Sequence, residues 1–429
     1  MERLSASKAP FVVRQGRRHL LLGLGVSALM PSMVGAALSA GIRMSTMPGS
    51  LARHRPTGKG KTHKFSLFLC GDVMIGRGVD QILPHPSKPT LHETYVHDAR
   101  DYVTLAEANN GEIPAPVPFA YPWGDALQVL DQFSPDVRII NLETSITTGE
   151  DYWPDKGIHY RVHPENVGCL TAARPDVVVL ANNHVLDYGY CGLIDTLKTL
   201  EDEDLATVGA GRNLKAAQRP ARVRLDNGRA VLVFGFGTKD SGVSPVWAAR
   251  ADRPGVNFLG DLSHQAVAAI ADCIRAAKTA DDLVVASIHW GGNWGYKIPP
   301  EHVRFAHALI ELGVDLVHGH SSHHPRPIEV YKDKLILYGC GDFINDYEGI
   351  RGYECFRDDL RLMYFAQLDA RTGALRELRM VPMKANRLRL IRASRRDAEW
   401  LRSTLSEASL GFSTHVKLLE DQSLLLKWK

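Results

Sequence analysis

Six cysteines, at 70, 169, 191, 273, 340 and 355, are spread over 429 residues and never form a Cys-x-x-Cys pair. No zinc knuckle or disulfide framework can therefore be read from them, and most of the cysteines read as small core residues. Charge of one sign is also missing, since 51 Lys and Arg stand against 48 Asp and Glu. A near-balanced chain of this size has no general attraction for nucleic acid or an anionic surface. After residue 42 no run is apolar enough to span a bilayer. No internal repeat is visible. The Gly-rich stretch Gly209-Ala210-Gly211-Arg212-Asn213 lacks a dinucleotide-binding context.

What is present begins with an address. Arg17 and Arg18 precede an uncharged stretch over 20–42, with Ala36, Ala37, Ser39 and Ala40 near its end. That is the layout of an export signal of the twin-arginine type. The alternative is an uncleaved membrane anchor. Either places the rest of the chain outside the cytoplasm, in the periplasm or cell envelope. The expected organisation is a signal or anchor over 1–40 and a Pro/Gly-rich basic linker over 41–64. A single domain over 65–385 follows, then a C-terminal helix and extension over 386–429 packing on it.

Within 65–385, short apolar runs alternate with helical patterns. Strands are expected at 65–72, 136–144, 176–184, 229–237, 282–292 and 314–324. Helices are expected near 189–201, 263–278 and 299–312, and a last one at 395–408. Hairpins are expected at 328–339, turning at Asp333, and at 362–381, turning at Thr372-Gly373. The Pro-rich region 84–122 reads as a long loop or insertion. The pattern predicts an α/β fold with a largely parallel core sheet and added antiparallel strands.

The chemistry lies where the runs stop. Ligands of such sheets gather beyond the carboxyl ends of the strands. Five runs end on Asp72, Glu143, Asn183-His184, His289 and His320/His323. One polar ending is an ordinary cap or turn, but five that agree point to a shared ligand. Carboxylates, imidazoles and one amide oxygen suit Mn, Fe or Zn. Two ions sharing a carboxylate, about 3.5–4 Å apart, clamp a phosphoryl group and activate water. Around this set, Arg77 is a candidate clamp for a carboxylate or phosphate. Lys156, His159, Tyr160, Arg161 and His163 form a donor-rich stretch able to read an anionic substrate. Trp290, Asn293 and Trp294 are candidate pocket walls. Asp342, Asn345, Asp346 and Glu348 are candidate supports for the histidines.

The segments CGDVMIGRG, INLETSIT, LANNHVLDYG, GAGRNLKAAQRP, SIHWGGNW and VHGHSSHHPRPIEVYKDKLILYGCGDFINDYEG occur in this order from Cys70 to Gly349. In them the chain resembles the CapA family, proteins linked to capsule and poly-γ-glutamate synthesis, over roughly 65–385. The resemblance implies an exported or membrane-anchored protein. It also implies a calcineurin-like metallophosphoesterase fold, a four-layer sandwich of two mixed β-sheets flanked by helices. It assigns roles as well. The family's Asp-x-His strand end is Asp72-Val73-Met74 here, so Asp72 remains a ligand and a thioether replaces an imidazole. Glu143 becomes the bridging carboxylate, and Asn183, His289, His320 and His323 become ligands. His184 becomes the general acid facing substrate. Asn182 and His324 fall on the substrate side, and His318 is expected to face the other way.

Three activities fit these expectations. The first is a metal-dependent, phosphoesterase-like hydrolase acting on an anionic envelope polymer or its precursor, alongside a membrane-bound polymer synthase. The second is a metal-dependent peptide or amino-acid epimerase. The third is a non-catalytic, polymer-binding export accessory.

Overall fold

The computed structural model describes residues 64–429. The expected leader, and all but the last residue of the expected linker, lie outside the described residues. The chain starts one sheet, leaves it to build a second, and then returns. Strands β1 (Lys64–Val73), β2 (Val137–Leu142), β3 (Val177–Val179) and β4 (Ala206–Val208) run parallel as neighbours. The next seven make the second sheet: β5 (Ala221–Arg224), β6 (Ala230–Thr238), β7 (Phe258–Leu259), β8 (Leu283–His289), β9 (Leu316–His320), β10 (Ile328–Tyr331) and β11 (Lys334–Leu337). Its order is β7-β6-β8-β9-β11-β10, with β5 antiparallel on β6. The chain then rejoins the first sheet. There β12 (Asp342–Ile344) lies parallel to β1, and β13 (Leu360–Asp369) and β14 (Leu375–Ala385) follow antiparallel. Strand β15 (Leu390–Arg392) pairs with β14. The hairpin of β16 (Thr414–Leu418) and β17 (Leu424–Trp428) extends the edge, giving β16-β17-β14-β13-β1-β2-β3-β4. The fold is a mixed α/β architecture with two mixed sheets.

Alternation along the strands decides what each face meets. On β6, Val231 and Val233 join the apolar cluster that also holds Leu67 and Leu69 of β1 and Ile139 of β2. The intervening Leu232, Phe234 and Phe236 face a separate cluster. That second cluster is closed by Ile270 and Ile274 of one helix (His264–Ala277) and by Phe305 and Leu309 of another (Pro300–Glu311). The two sheets thus share one core, and helices cover the far face of the second sheet. The helix Gly189–Asp202 buries Leu193, Leu197 and Leu200 against the shared core.

All four expected helices form. The last, Arg395–Ala408, is started by a capping box in which Ser394 and Asp397 satisfy each other's backbone N–H. Ser394→Ala is expected to lower unfolding free energy by ~1 kcal/mol, read by denaturant titration. Two stretches differ from expectation. The region 84–122 contains a helix, Arg100–Asn110, whose only buried residues are Tyr102 and Ala106. So thin a stripe gives little periodic signal. The C-terminal extension ends as a paired hairpin rather than an irregular tail, its short strands burying only Thr414, Val416, Leu424 and Leu426.

One crossing positions the site. From β11 the chain passes through 338–341 into β12. Gly341 adopts a φ of 82°, and its carbonyl accepts the Asp72 N–H at 3.1 Å. A Cβ on Gly71 would sit 1.5 Å from that carbonyl oxygen, so only hydrogen fits there. The close approach seats the end of β1 against the strand leaving the second sheet.

Candidate metal centre

The carboxyl ends of β1, β2, β3, β8 and β9 converge. In the ladders, His289 lies opposite His320, and Asp72 lies opposite both Asn141 and Asp342. Asp72, His289 and His320 are buried, and each offers a ligand atom within 4.8 Å of the other two. His289 Nδ1 stands 2.8 Å from His320 Nδ1, and His320 Nδ1 stands 3.7 Å from Asp72 Oδ1. Asn183 Oδ1 approaches His289 Nε2 at 3.0 Å. Glu143 Oε1 is 3.8 Å from both His184 Nε2 and His289 Nε2. Asn141 ties the carboxylates together, donating to Asp72 Oδ1 at 2.7 Å and to Glu143 Oε2 at 3.3 Å. His323 is held through Nδ1 by Asp342 Oδ1 at 2.9 Å, and Asn345 secures Asp342 from the other side at 2.7 Å.

A chain of hydrogen bonds fixes the His320 tautomer. A carbonyl only accepts, so His318 Nε2, 2.8 Å from the Cys70 oxygen, carries its hydrogen. His318 Nδ1 is then a lone pair and takes the Ser287 hydroxyl hydrogen at 3.0 Å. The Ser287 oxygen in turn accepts from His320 Nε2–H at 3.0 Å. His320 Nδ1 is left as a lone pair aimed at Asp72 and His289. With the Asn183 oxygen toward His289 Nε2, that nitrogen is the donor, and His289 Nδ1 is a lone pair as well. Two imidazole lone pairs 2.8 Å apart, beside a carboxylate, repel unless a cation or proton lies between them.

The charges say the same. Burial pushes the Asp72 carboxyl up to about 7, though hydrogen bonds from Glu143 and Asn141 draw it back. Burial, and then the nearby Asp72 charge, raise Glu143 well above the ordinary carboxylate range. Burial holds His289 and His320 well below the usual imidazole range, in the neutral form that ligates metals. Burial also opposes charge on His323, but Asp342, with help from Asp72, outweighs it and raises that imidazole. Two buried carboxylates crowded against neutral imidazoles are a donor set that a divalent ion satisfies.

His184 closes one side. Its Nδ1 lies 2.6 Å from Asp187 Oδ2 and 2.9 Å from Lys156 Nζ, leaving Nε2 toward Glu143. Burial holds this imidazole down to about 4 against the opposing pull of Asp187. Lys156 forms an ion pair with Asp187, which also accepts the Tyr160 N–H at 2.7 Å.

Several expected substrate contacts are corrected by their surroundings. Arg77 is buried, with its guanidinium bonded to Asp346 (3.1 and 2.5 Å), Glu93 (2.8 Å) and Tyr102 (3.0 Å). Arg161 donates to the Gly149 and Lys88 carbonyls at 2.6 and 3.1 Å. Both are committed to the protein. Asn182 is fully buried and donates to Asn141 Oδ1 and the Leu142 carbonyl, while its oxygen takes the His184 N–H. It positions the turn and does not meet substrate. His324 donates from Nδ1 to the Pro325 carbonyl and accepts the Gly295 N–H at Nε2, so both nitrogens are used. Trp290 is core, bonded to the Tyr338 carbonyl and stacked on His302. His318 shares a face of β9 with His320, as the two-residue strand period requires. Met74, in the position where an imidazole was expected, is buried with its sulfur 3.7 Å from the Tyr347 hydroxyl. Asp187, Ser287 and Asn141 carried no role in the sequence reading. Only Asp187, three residues after His184, had a local cue.

A two-sheet α/β protein with a carboxylate–imidazole cluster across its strand ends is the class that fold and site define. The profile of the family described as Bacterial capsule synthesis protein PGA_cap matches residues 66–347, and the chain belongs to that family. It is 51% identical over 360 residues to a probable polyglutamine synthesis accessory protein of Mycobacterium tuberculosis, covering 84% of this chain and 95% of that one. It is 31% identical over 313 residues to the capsule biosynthesis protein CapA of Bacillus anthracis, with 71% and 64% covered. It is 32% identical over 225 residues to the PGA biosynthesis protein CapA of Bacillus subtilis, with 52% and 56% covered. Among the described residues, no helix is long and apolar enough to cross a membrane.

Proposed function

We propose that this chain is an exported accessory of capsule or poly-γ-glutamate synthesis whose strand-end cluster is a metal-dependent phosphoesterase centre. The convergence of Asp72, His289 and His320 within 4.8 Å carries the reading. The names of the relatives support the link to polymer synthesis. Two facing sheets with helices outside support the four-layer, calcineurin-like form of the fold. The substrate is a phosphoester of the polymer or its precursor, and the partner is a membrane-bound synthase.

Asp72, Glu143, Asn183, His289, His320 and His323 would hold one or two divalent ions, Mn, Fe or Zn. Such an ion supplies an acidified water and charge neutralisation at a phosphoryl oxygen. The protein does the rest. Asn141 fixes the spacing of the two carboxylates. The Cys70–His318–Ser287 chain keeps the His320 lone pair pointing inward. Asp342 orients His323. Asp187 accepts from His184 Nδ1, so Nε2 is the atom turned toward the site, where it would take up a proton and pass it to the leaving group.

Metal content of the purified mature protein, measured beside hydrolysis of bis(p-nitrophenyl) phosphate, tests this. About one or two ions per chain and metal-dependent turnover are expected. A folded, metal-free protein in metal-supplemented buffer would sink the proposal, and metal without turnover would leave an accessory role alone. Ser287→Ala is expected to weaken metal affinity 10–100-fold in a chelator competition, with Ser287→Thr restoring most of it.

A further inference from the structure

The cleft has little positive charge to spare, because Arg77 and Arg161 are consumed by the protein itself. Uncompensated positive charge is found elsewhere. A groove of about 780 Å³ lies between the helix Arg395–Ala408 and the β16–β17 hairpin. Arg395, Glu399 and Arg402 form one stripe of the helix at i, i+4 and i+7, lining one wall. His415 and Lys417 alternate outward from β16, and Lys427 lies directly opposite His415 on β17, lining the other wall. Glu399 is paired with Arg402. Among the described residues, no ion pair engages Arg395, Lys417 or Lys427. An edge strand often carries lysine to discourage edge-to-edge pairing. That purpose requires neither a concave wall nor a matching arginine on the facing helix.

We infer that this groove binds an extended polycarboxylate chain. The inference rests on the polymer-linked reading above and supplies the grip that the cleft lacks. Three unpaired cations on two walls of one trough suit an acceptor repeated along a strand-like ligand, and the half-buried Trp428 offers an apolar floor to its methylenes. The site lies outside the matched segment 66–347. Strand β16 is four strands from β1 in the sheet order, roughly 19 Å at the usual strand spacing. A polymer held here is held away from the metal cluster.

The test uses the full chain and labelled poly-γ-glutamate in a fluorescence anisotropy titration. The variant Arg395→Glu/Lys417→Glu/Lys427→Glu is compared with Arg224→Glu/Arg351→Glu/Arg371→Glu. The second set changes net charge equally at exposed positions outside the groove. Expected are at least tenfold weaker binding in the groove variant, near-normal binding in the control, and unchanged melting and metal content in both. Equal weakening in both sets, or none in the groove variant, overturns the groove and leaves the polymer reading standing. No binding by the unsubstituted chain overturns both. Groove-dependent binding to phosphatidylglycerol vesicles without polymer binding overturns the choice of ligand.

Discussion

Asp72→Asn protein, dialysed without added metal, is expected to hold less than about a tenth of the ion carried by the unsubstituted chain. Its phosphodiester hydrolysis should fall on the order of 10³-fold, the scale of several kcal/mol of lost charge stabilisation. The same substitution should raise stability once metal is removed. Burial lifts the Asp72 carboxyl from 3.8 to about 7. Between those values the folded chain keeps a proton that the unfolded chain has released. The contribution of Asp72 to the stability of the metal-free protein is therefore lost as pH rises through that window, against the opposite trend of the buried imidazoles. Above pH 7 the ionised carboxylate costs up to ~4 kcal/mol, which the neutral amide does not. With chelator at pH 8, Asp72→Asn should melt above the unsubstituted protein; with saturating Mn or Zn the order should reverse. A variant that melts lower under both conditions would mean that Asp72 is an ordinary structural carboxylate. The crossing is expected because an ion, not the protein, neutralises the cluster.

Much of this cluster was legible as strand endings. Each of Asp72, Glu143, His289 and His320 closes an apolar run, and parallel strands place such endings side by side whatever their separation in the chain. The arginines were misread for a related reason. One of the partners that occupy Arg77, Asp346, lies 269 residues further on, and one-dimensional patterns do not show which cations are already satisfied. Asn182 and Asn183 are adjacent amides with opposite duties. One is turned into Asn141 and the other toward His289, and only the turn after β3 decides which. Ser287 and His318 looked like ordinary strand interior. Their significance lies in the relay across β8, β9 and the end of β1, a lateral relation with no local signature. The C-terminal groove combines a helical stripe with a hairpin, and neither alone marks a site.

Acid should destabilise the metal-free protein well above the pH at which ordinary carboxylates protonate. Burial holds His184, His318 and His324 down to about 4, and holds His289 and His320 well below their ordinary range. Between about pH 4 and 6.5 the unfolded chain takes up protons on these imidazoles and the folded chain does not. Stability therefore rises with pH across that window. The raised carboxyls of Asp72, Glu143, Asp80 and Asp358 act in the opposite sense, since burial makes the folded chain hold protons there. The five deeply buried imidazoles, with a smaller contribution from His92, outweigh these four carboxyls and the raised His323 and leave a net positive slope. Urea titrations in chelator at pH 5, 5.5 and 6 measure it directly, and a flat or falling profile would refute the assignment. His324→Gln isolates one contributor outside the proposed ligand set. Whatever that substitution does to stability at pH 7.5, losing one titrating imidazole should reduce the slope by about 1.4 kcal/mol per pH unit. An unchanged slope would show that His324 already carries its proton in the folded chain, in conflict with the hydrogen it accepts from Gly295.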